Sequence, residues 1–166
     1  ENLLKAAEKD TLFIQISTDY VFDGKQGGYS EEDPTYPMSY YGKSKLEAEN
    51  IIRGSNHRWL IIRPNVLYGN NLKSNASFVS WVVNSLKLHE DINVVTDQKN
   101  NPSWTTAVSQ AIRHCIIMGA EGLFHYGSDD VLSRYEFAGL IAEVFDLDAA
   151  YIHKTTTSKL KQKAPR

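Results

Sequence analysis

Thr11-Leu12-Phe13-Ile14-Gln15-Ile16-Ser17 is an apolar run of strand length, with β-branched and aromatic members, and the segments after it decide the fold. A loop comes next, running from Asp23-Gly24 through Gly27-Gly28 to Asp33-Pro34. Pro37 blocks helix upstream, and Ser39 can cap a helix that continues to about Arg53. Arg58 to Arg63 is a second apolar strand, stopped by Pro64. Strand, helix and strand in this order predict a βαβ unit, because two parallel strands need a crossover long enough to carry a helix.

The same alternation continues on both sides. Asn2 to Lys9 reads as a helix, and Phe78, Val79, Val82, Val83 and Leu86 give Ala76 to His89 helical spacing. A short strand near Asn93–Val95 is followed by a helical period from Thr105 to Met118 and a strand-like Gly122 to Tyr126. Ser133 to Phe145 is again helical, with Ser133 and Glu136 in the capping-box relation. The prediction is an α/β fold, a parallel sheet covered by helices. No internal repeat, low-complexity segment or Gly/Ser-rich linker divides the chain.

The 166 residues amount to about one domain, and 42% hydrophobic with 23% charged residues is the composition of a packed globular chain. Apolar runs such as Trp59-Leu60-Ile61-Ile62 fall short of the roughly 18 residues that suggest a membrane span. A single cysteine, Cys115, cannot form an internal disulfide, so a reducing compartment, the cytoplasm, is expected. On its apolar helix Cys115 reads as a packed core thiol, and Trp59, Trp81 and Trp104 read as core or cleft residues. The five histidines show no metal-ligand spacing, so no metal is expected. A net charge of −2 gives no reason to expect nucleic acid. The charge is uneven: His153 to Arg166 holds five basic residues (Lys154, Lys159, Lys161, Lys163, Arg166) and no acid, leaving thirteen basic against twenty acidic residues, a net −7, in residues 1–152. Such a tail could reach a phosphate, but a solvated, poorly ordered end is the simpler expectation.

Chemistry concentrates in Tyr40-Tyr41-Gly42-Lys43-Ser44-Lys45. Tyr41 and Lys45 are four apart and share one helix face, whereas Tyr40, five from Lys45, faces elsewhere. An ammonium beside a phenol favours the phenolate and brings proton transfer within reach near neutrality. Taken alone the spacing is common on helices. It gains weight from Ser17-Thr18-Asp19, which puts hydroxyls at the carboxyl edge of a predicted parallel strand, where open α/β sheets bind ligands. A Thr18 hydroxyl there can donate to an oxygen on which negative charge develops, or can simply cap a turn.

Strand, hydroxyl, loop, Tyr, three residues, Lys: this order resembles the extended short-chain dehydrogenase/reductase superfamily, and within it the dTDP-4-dehydrorhamnose reductase group. Ser17-Thr18-Asp19-Tyr20-Val21-Phe22-Asp23-Gly24 carries the resemblance, with Glu32-Asp33, Pro37, Tyr41 to Leu46 and Arg63-Pro64-Asn65-Val66-Leu67-Tyr68-Gly69. It continues through Asp97-Gln98, Asn101-Pro102-Ser103, Gly122-Leu123-Phe124-His125 and Ser133 to Phe137. The resemblance implies a partial Rossmann-type doubly wound parallel sheet (residues 1–70) with a small α/β substrate-binding lobe (71–166) interleaved with the last Rossmann elements. It implies NADP(H) or NAD(H) as cofactor and a nucleotide-linked 4-keto-6-deoxy sugar as substrate. Thr18, Tyr41 and Lys45 would be catalytic. Ser17, Tyr41, Lys45, Arg63, Pro64 and Asn65 would meet the cofactor, with the main chain of Arg63-Pro64-Asn65 beside the nicotinamide; a buried Arg63 stem at a Pro-terminated strand is the equally plain alternative. Thr18, Asp19, Tyr20, Val21, Phe22, Asn65, Pro102, Ser103 and Trp104 would meet the substrate.

Three departures from family patterns refine this. Similar sugar-nucleotide 4,6-dehydratases carry Asp-Glu after the Thr, whereas Asp19 is followed by Tyr20, so reduction is expected rather than dehydration. No G-x-G-x-x-G or close variant is present, so the chain is expected to be the C-terminal portion of a longer protein and to bind cofactor poorly by itself. The family's Gln…Gly…Pro-Thr stretch reads here as Gln98-Lys99-Asn100-Asn101-Pro102-Ser103-Trp104, with Asn for Gly and Ser for Thr, and Ala164-Pro165-Arg166 resembles a near-terminal family element. Two other roles stay open on resemblance: a regulatory subunit similar to the methionine adenosyltransferase β subunit, and a nucleotide-sugar epimerase. The expected partners are the nucleotide sugar, with a homodimer or, on the regulatory reading, the methionine adenosyltransferase catalytic subunit; no membrane contact is expected.

Overall fold

The computed structural model describes residues 1–69 and 77–160, which form two compact units. The first comprises residues 1–65 and 107–126; the second comprises 66–69, 77–106 and 127–160. The tail's Lys161, Lys163, Pro165 and Arg166 lie outside the described residues, as does Ala76.

The first unit is a three-stranded parallel sheet in the order β1 (Leu12–Ile16), β2 (Arg58–Pro64), β7 (Gly122–Tyr126). Helix α2 (Tyr40–Arg53) is the crossover between β1 and β2, as the strand-helix-strand pattern predicts. Helix α1 (Asn2–Ala6) precedes β1, and α4 (Thr105–Met118) leads into β7. The central strand is the buried one: Leu60, Ile61, Ile62, Arg63 and Pro64 are all inaccessible. This is a Rossmann-like α/β arrangement.

Two features fix where α2 starts and how near it lies. The Ser39 hydroxyl accepts from the Gly42 N–H at 3.1 Å, satisfying one of the amides a helix leaves open. Gly42 itself permits a close approach, since a Cβ there would stand 2.2 Å from the Tyr20 carbonyl oxygen. The helix therefore touches the turn after β1, and any side chain at position 42 would push the two apart. In the loop between them Gly24, Gly27 and Gly28 have φ of +70°, +71° and +62°, a backbone region where a Cβ is strained.

The second unit packs α3 (Phe78–Lys87) against α5 (Arg134–Val144) over a cluster of Val82, Val83, Leu86, Ile92, Val94, Phe137, Ala138, Ile141 and Ile152. Its strands are short. β3 (Leu67–Tyr68) pairs with β6 (Ser103–Trp104) and β4 (Ile92–Val95) with β9 (Ile152–Thr155), both parallel; β5 (Lys99–Asn100) pairs antiparallel with β8 (Leu132–Ser133). Strand β9 corrects the expectation of a poorly ordered basic end for its first residues, His153 to Thr155; the rest of that expectation, from residue 161 on, falls outside the described residues. His153 and Lys154 are exposed on a strand whose Ile152 is buried, and Lys154 lies over the Tyr135 ring at 5.0 Å. Charge density misled there because β9 is seated by its parallel pairing with β4 and the buried Ile152, which leave its basic side chains free to face solvent.

Two further expectations change. Cys115 is half-buried rather than a core thiol, because only Val108 of α4 is buried and the neighbouring Ile116, Ile117 and Met118 are exposed. Of the tryptophans read as core or cleft residues, Trp81 and Trp104, 40% and 49% exposed, lie outside the core, which leaves the cleft alternative for them; Trp81 flanks the buried Val82 and Val83 and rests on Phe78.

The predicted capping box at α5 is present: Ser133 Oγ accepts from Glu136 N at 3.1 Å, and Glu136 Oε2 accepts from Ser133 N at 2.7 Å. Ser133→Ala removes the first bond and should cost roughly 1 kcal/mol of stability in urea unfolding; an unchanged midpoint would show that α5 starts without its cap.

Candidate active site

The site is built at the carboxyl ends of β1 and β2. Strand β1 ends at Ile16, which registers with Ile62, so Ser17 and Arg63 continue the two strands side by side; Arg63 in turn registers with His125 on β7. Registered neighbours point to the same face of a sheet. Ser17, Arg63 and His125 are therefore a polar row across three strands, and α2 lies on that face.

Tyr41, Lys45 and Glu49 succeed one another at four-residue intervals along α2 and share its inward side. Lys45 Nζ donates to the Ile16 carbonyl at 3.0 Å and stands 5.9 Å from the Tyr41 ring centre. Tyr41 is 51% exposed, and its ring meets that of Tyr20 edge-on at 5.8 Å. Tyr40, at 88% exposure, faces solvent, as its five-residue offset from Lys45 predicts.

Thr18 is buried and caps the turn Asp19–Val21: Oγ1 accepts from Tyr20 N at 3.2 Å and donates to Asp19 Oδ1 at 3.1 Å. Val21 and Phe22 are core residues of this unit. Phe22 is stacked on Tyr29 (4.4 Å, 2°), with the Arg63 guanidinium 5.2 Å from its ring centre and His125 edge-on at 5.6 Å. Pro64 completes β2. Asn65 N donates to Tyr126 O at 3.0 Å, while Asn65 Oδ1 is buried without a hydrogen-bond partner among the described residues. Next to it Val66 has φ +24°, an uncommon backbone state for a β-branched residue.

Glu49 is the residue that sequence reasoning missed. It is fully buried, and its Oε1 accepts from the Ser17 hydroxyl. Arg63 grips the same carboxylate with both ends of its fork, Nε to Oε1 at 2.9 Å and Nη2 to Oε2 at 2.6 Å. The remaining Arg63 nitrogen, Nη1, meets His125 Nε2 at 3.3 Å, and His125 Nδ1 meets the Tyr29 carbonyl at 3.0 Å. A carbonyl only accepts and a guanidinium only donates, so His125 carries its proton on Nδ1. The signal was present: Glu49 is eight residues beyond Tyr41, and a buried arginine needs an acid. The alternative of a buried Arg63 at a Pro-terminated strand describes its side chain, which is 3% exposed and paired with Glu49.

Glu31 was missed too. It accepts from the His125 N–H at 2.7 Å, and that bond, opposed by partial burial, holds its carboxyl below the usual range. A folded value below the unfolded one means the contribution is present above the ordinary carboxylate range and lost as pH falls through the lowered value. Glu32, by contrast, is exposed, and Asp33 closes a local turn by accepting from Ser30 N at 2.6 Å.

The other predicted residues belong to the second unit. Pro102 and Ser103 are buried, Ser103 Oγ donates to Asn101 O at 3.1 Å, and Pro102 lines an apolar groove with Tyr68, Leu132, Phe137 and Leu140. Asn101 braces a turn by donating to Ser128 O (2.9 Å) and Asp130 O (3.2 Å). Asp97 accepts from the N–H and hydroxyl of Thr157, bonds that hold its carboxyl below the usual range and anchor the exit of β9. Among the described residues no three His, Cys, Asp or Glu side chains form a set that could hold a metal ion, and no helix is long and apolar enough to cross a membrane.

A parallel sheet with Tyr41 and Lys45 of α2 at the carboxyl ends of its strands is a Rossmann-like fold, similar to those of dehydrogenases and reductases. Residues 2–166 match the family model described as RmlD substrate binding domain, and the chain belongs to that family. It is 33% identical to the probable low-salt glycan biosynthesis reductase Agl14 of Haloferax volcanii over 96% of this chain and 54% of that protein. It is also 31% identical to methionine adenosyltransferase 2 subunit beta of Rattus norvegicus, over 95% of this chain and 49% of that one. The crystal structure of a dTDP-4-dehydrorhamnose reductase from Clostridium acetobutylicum superposes with a TM-score of 0.86 at 34% identity, covering 92% of this chain and 53% of that one. The Bacillus anthracis dTDP-4-dehydrorhamnose reductase in complex with NADP gives 0.86 at 28%, with the same coverage. The chain spans about half the length of the relatives it matches.

Glu49→Gln keeps the side chain's shape but leaves the Arg63 guanidinium buried against a neutral amide. Removing one partner of a buried pair costs about 3–5 kcal/mol, and urea unfolding should show a loss of that size; a loss below about 1 kcal/mol would mean that Arg63 does not depend on this charge.

Proposed function

We propose that the protein carrying this chain reduces the 4-keto group of a nucleotide-linked 4-keto-6-deoxy sugar with NADP(H) or NAD(H). The observation that carries this reading is the stack of Tyr41 and Lys45 on one face of α2, with Lys45 bound to the last carbonyl of β1 two residues before Thr18. Family membership and the reductase relatives support it. On this reading residues 1–70 are the catalytic part of the Rossmann domain and 71–166 the substrate lobe with the last Rossmann elements.

The residues present fit a nicotinamide and its ribose. Lys45 uses one of its three N–H groups on Ile16, the Tyr41 hydroxyl belongs to a half-exposed side chain, and the Asn65 amide oxygen is buried without a partner among the described residues. Ser17, Arg63 and Pro64 contribute main chain beside them. When bound, the nicotinamide supplies the hydride. Tyr41 then protonates the oxygen on which charge develops, the Lys45 ammonium stabilises the phenolate left behind, and Thr18 turns its hydroxyl hydrogen from Asp19 to the same oxygen. Asp19, Tyr20, Val21, Phe22 and Asn65, with Pro102, Ser103 and Trp104, are the proposed substrate contacts. The free, half-buried Cys115 fits a reducing compartment, the cytoplasm.

A regulatory role beside a methionine adenosyltransferase catalytic subunit is the second reading, favoured by the 31% identity to the rat β subunit. Turnover separates the two. In the full-length protein, Tyr41→Phe should lower the rate of NADPH consumption with a 4-keto-6-deoxy nucleotide sugar by about 10²-fold or more, with a far smaller loss of NADPH affinity because Lys45 and the strand-end main chain still hold the cofactor. Full activity in that variant would remove Tyr41 as the proton donor, and an inactive wild type that co-purifies with a methionine adenosyltransferase would favour the regulatory role.

A further inference from the structure

The polar row beneath the site has more connections than packing needs. Glu49, Ser17, Arg63, His125 and the Tyr29 carbonyl form one hydrogen-bonded chain inside the first unit, reaching from α2 across all three strands. An apolar cluster of the same volume could fill this space at no loss of stability, since desolvating two charges offsets much of their attraction. What an apolar cluster cannot do is fix a distance. A bidentate fork and a carboxylate meet in one geometry, and Glu49 spends its other acceptor position on the hydroxyl that immediately precedes Thr18.

We propose that Glu49 is a positioning residue: by holding Ser17 of β1 and Arg63 of β2 in one carboxylate, it sets how far α2 stands from the strand ends, and so where Lys45 and Tyr41 stand relative to Thr18. Three contacts converge on this. Lys45 lies one helical turn before Glu49, and both reach the same three-residue stretch: Lys45 bonds Ile16, Glu49 bonds Ser17, and Thr18 comes next. Arg63 precedes Pro64-Asn65 as Ser17 precedes Thr18, so one carboxylate braces both strand exits. At the other end of α2, Gly42 rests against the Tyr20 carbonyl, so the helix is held at two points with Lys45 between them. The inference rests on the reading of Tyr41 and Lys45 as the proton-transfer pair, but its geometric content can be measured without turnover.

The test uses the full-length protein and acetic anhydride as a probe of lysine amines, read residue by residue by mass spectrometry. Ser17→Ala removes one bond to Glu49 and leaves the Arg63 pair in place. Lys45 should then acetylate several-fold faster than in the wild type, while Lys43, exposed on the same helix, keeps its rate; Ser17→Thr, which retains the hydroxyl, should return Lys45 to the wild-type rate. With NADPH and a 4-keto-6-deoxy nucleotide sugar, kcat of Ser17→Ala should fall about tenfold with KM nearly unchanged, as expected when a proton donor is displaced by a fraction of an ångström. Should Ser17→Ala fail to fold, Glu49→Asp, which withdraws the carboxylate by one bond, should give the same rise at Lys45. Equal Lys45 rates in the wild type and in the folded variant would overturn the proposal. A faster Lys45 in a protein whose wild type reduces no keto sugar would uphold the positioning role and remove the reductase reading instead.

Discussion

A carboxyl group with no exposure to solvent has only protein groups to bond. Glu49 has three such bonds, one from Ser17 at the exit of β1 and two from the Arg63 fork at the exit of β2. The first unit is organised around that contact. Strand β2 is central and buried, β1 and β7 flank it, and the last inward-facing row across them is polar rather than apolar. A helix with only apolar contacts could slide along such a sheet by a fraction of a turn at little cost. A helix tied by a carboxylate to two adjacent strand ends cannot.

The consequence for chemistry lies one and two turns nearer the helix start. Lys45 reaches the final carbonyl of β1, and Tyr41 lies beyond it with half its surface exposed. The close approach at Gly42 brings the turn carrying Thr18 and Tyr20 against the same helix. Each contact is local, yet all concern the same few residues after β1. The second unit is built differently, from short paired strands around an α3–α5 core, and its Asn101 and Asp97 brace turns through main-chain partners.

Much of this was legible from residue order. Strand periodicity located β1, β2 and β7, Ser39 and Ser133 marked helix starts that the structure shows, and Tyr41 to Lys45 marked a helix face. The paired strands β3–β6 and β5–β8 were not legible, because two-residue strands carry no alternation to detect. Strand β9 was hidden by its exposed basic residues, and Glu49 by its type, since an acid in mid-helix ordinarily faces water. Glu31 was hidden by its neighbours Glu32 and Asp33, which fit the family pattern while Glu31 reaches the β7 main chain. Local pattern finds elements; it does not say which polar side chain a distant strand will claim.

The central claim is that α2 and β2 are joined through Glu49 into one unit. Amide hydrogen exchange of the full-length protein along a urea series tests it most directly, by comparing Lys45–Arg53 of α2 with Leu60–Arg63 of β2. If the carboxylate ties them, the two sets of amides open together, with equal free energies and the same dependence on urea. If the α2 amides exchange through a separate, lower-energy opening while β2 stays protected, the helix is not held by that contact and the claim is contradicted.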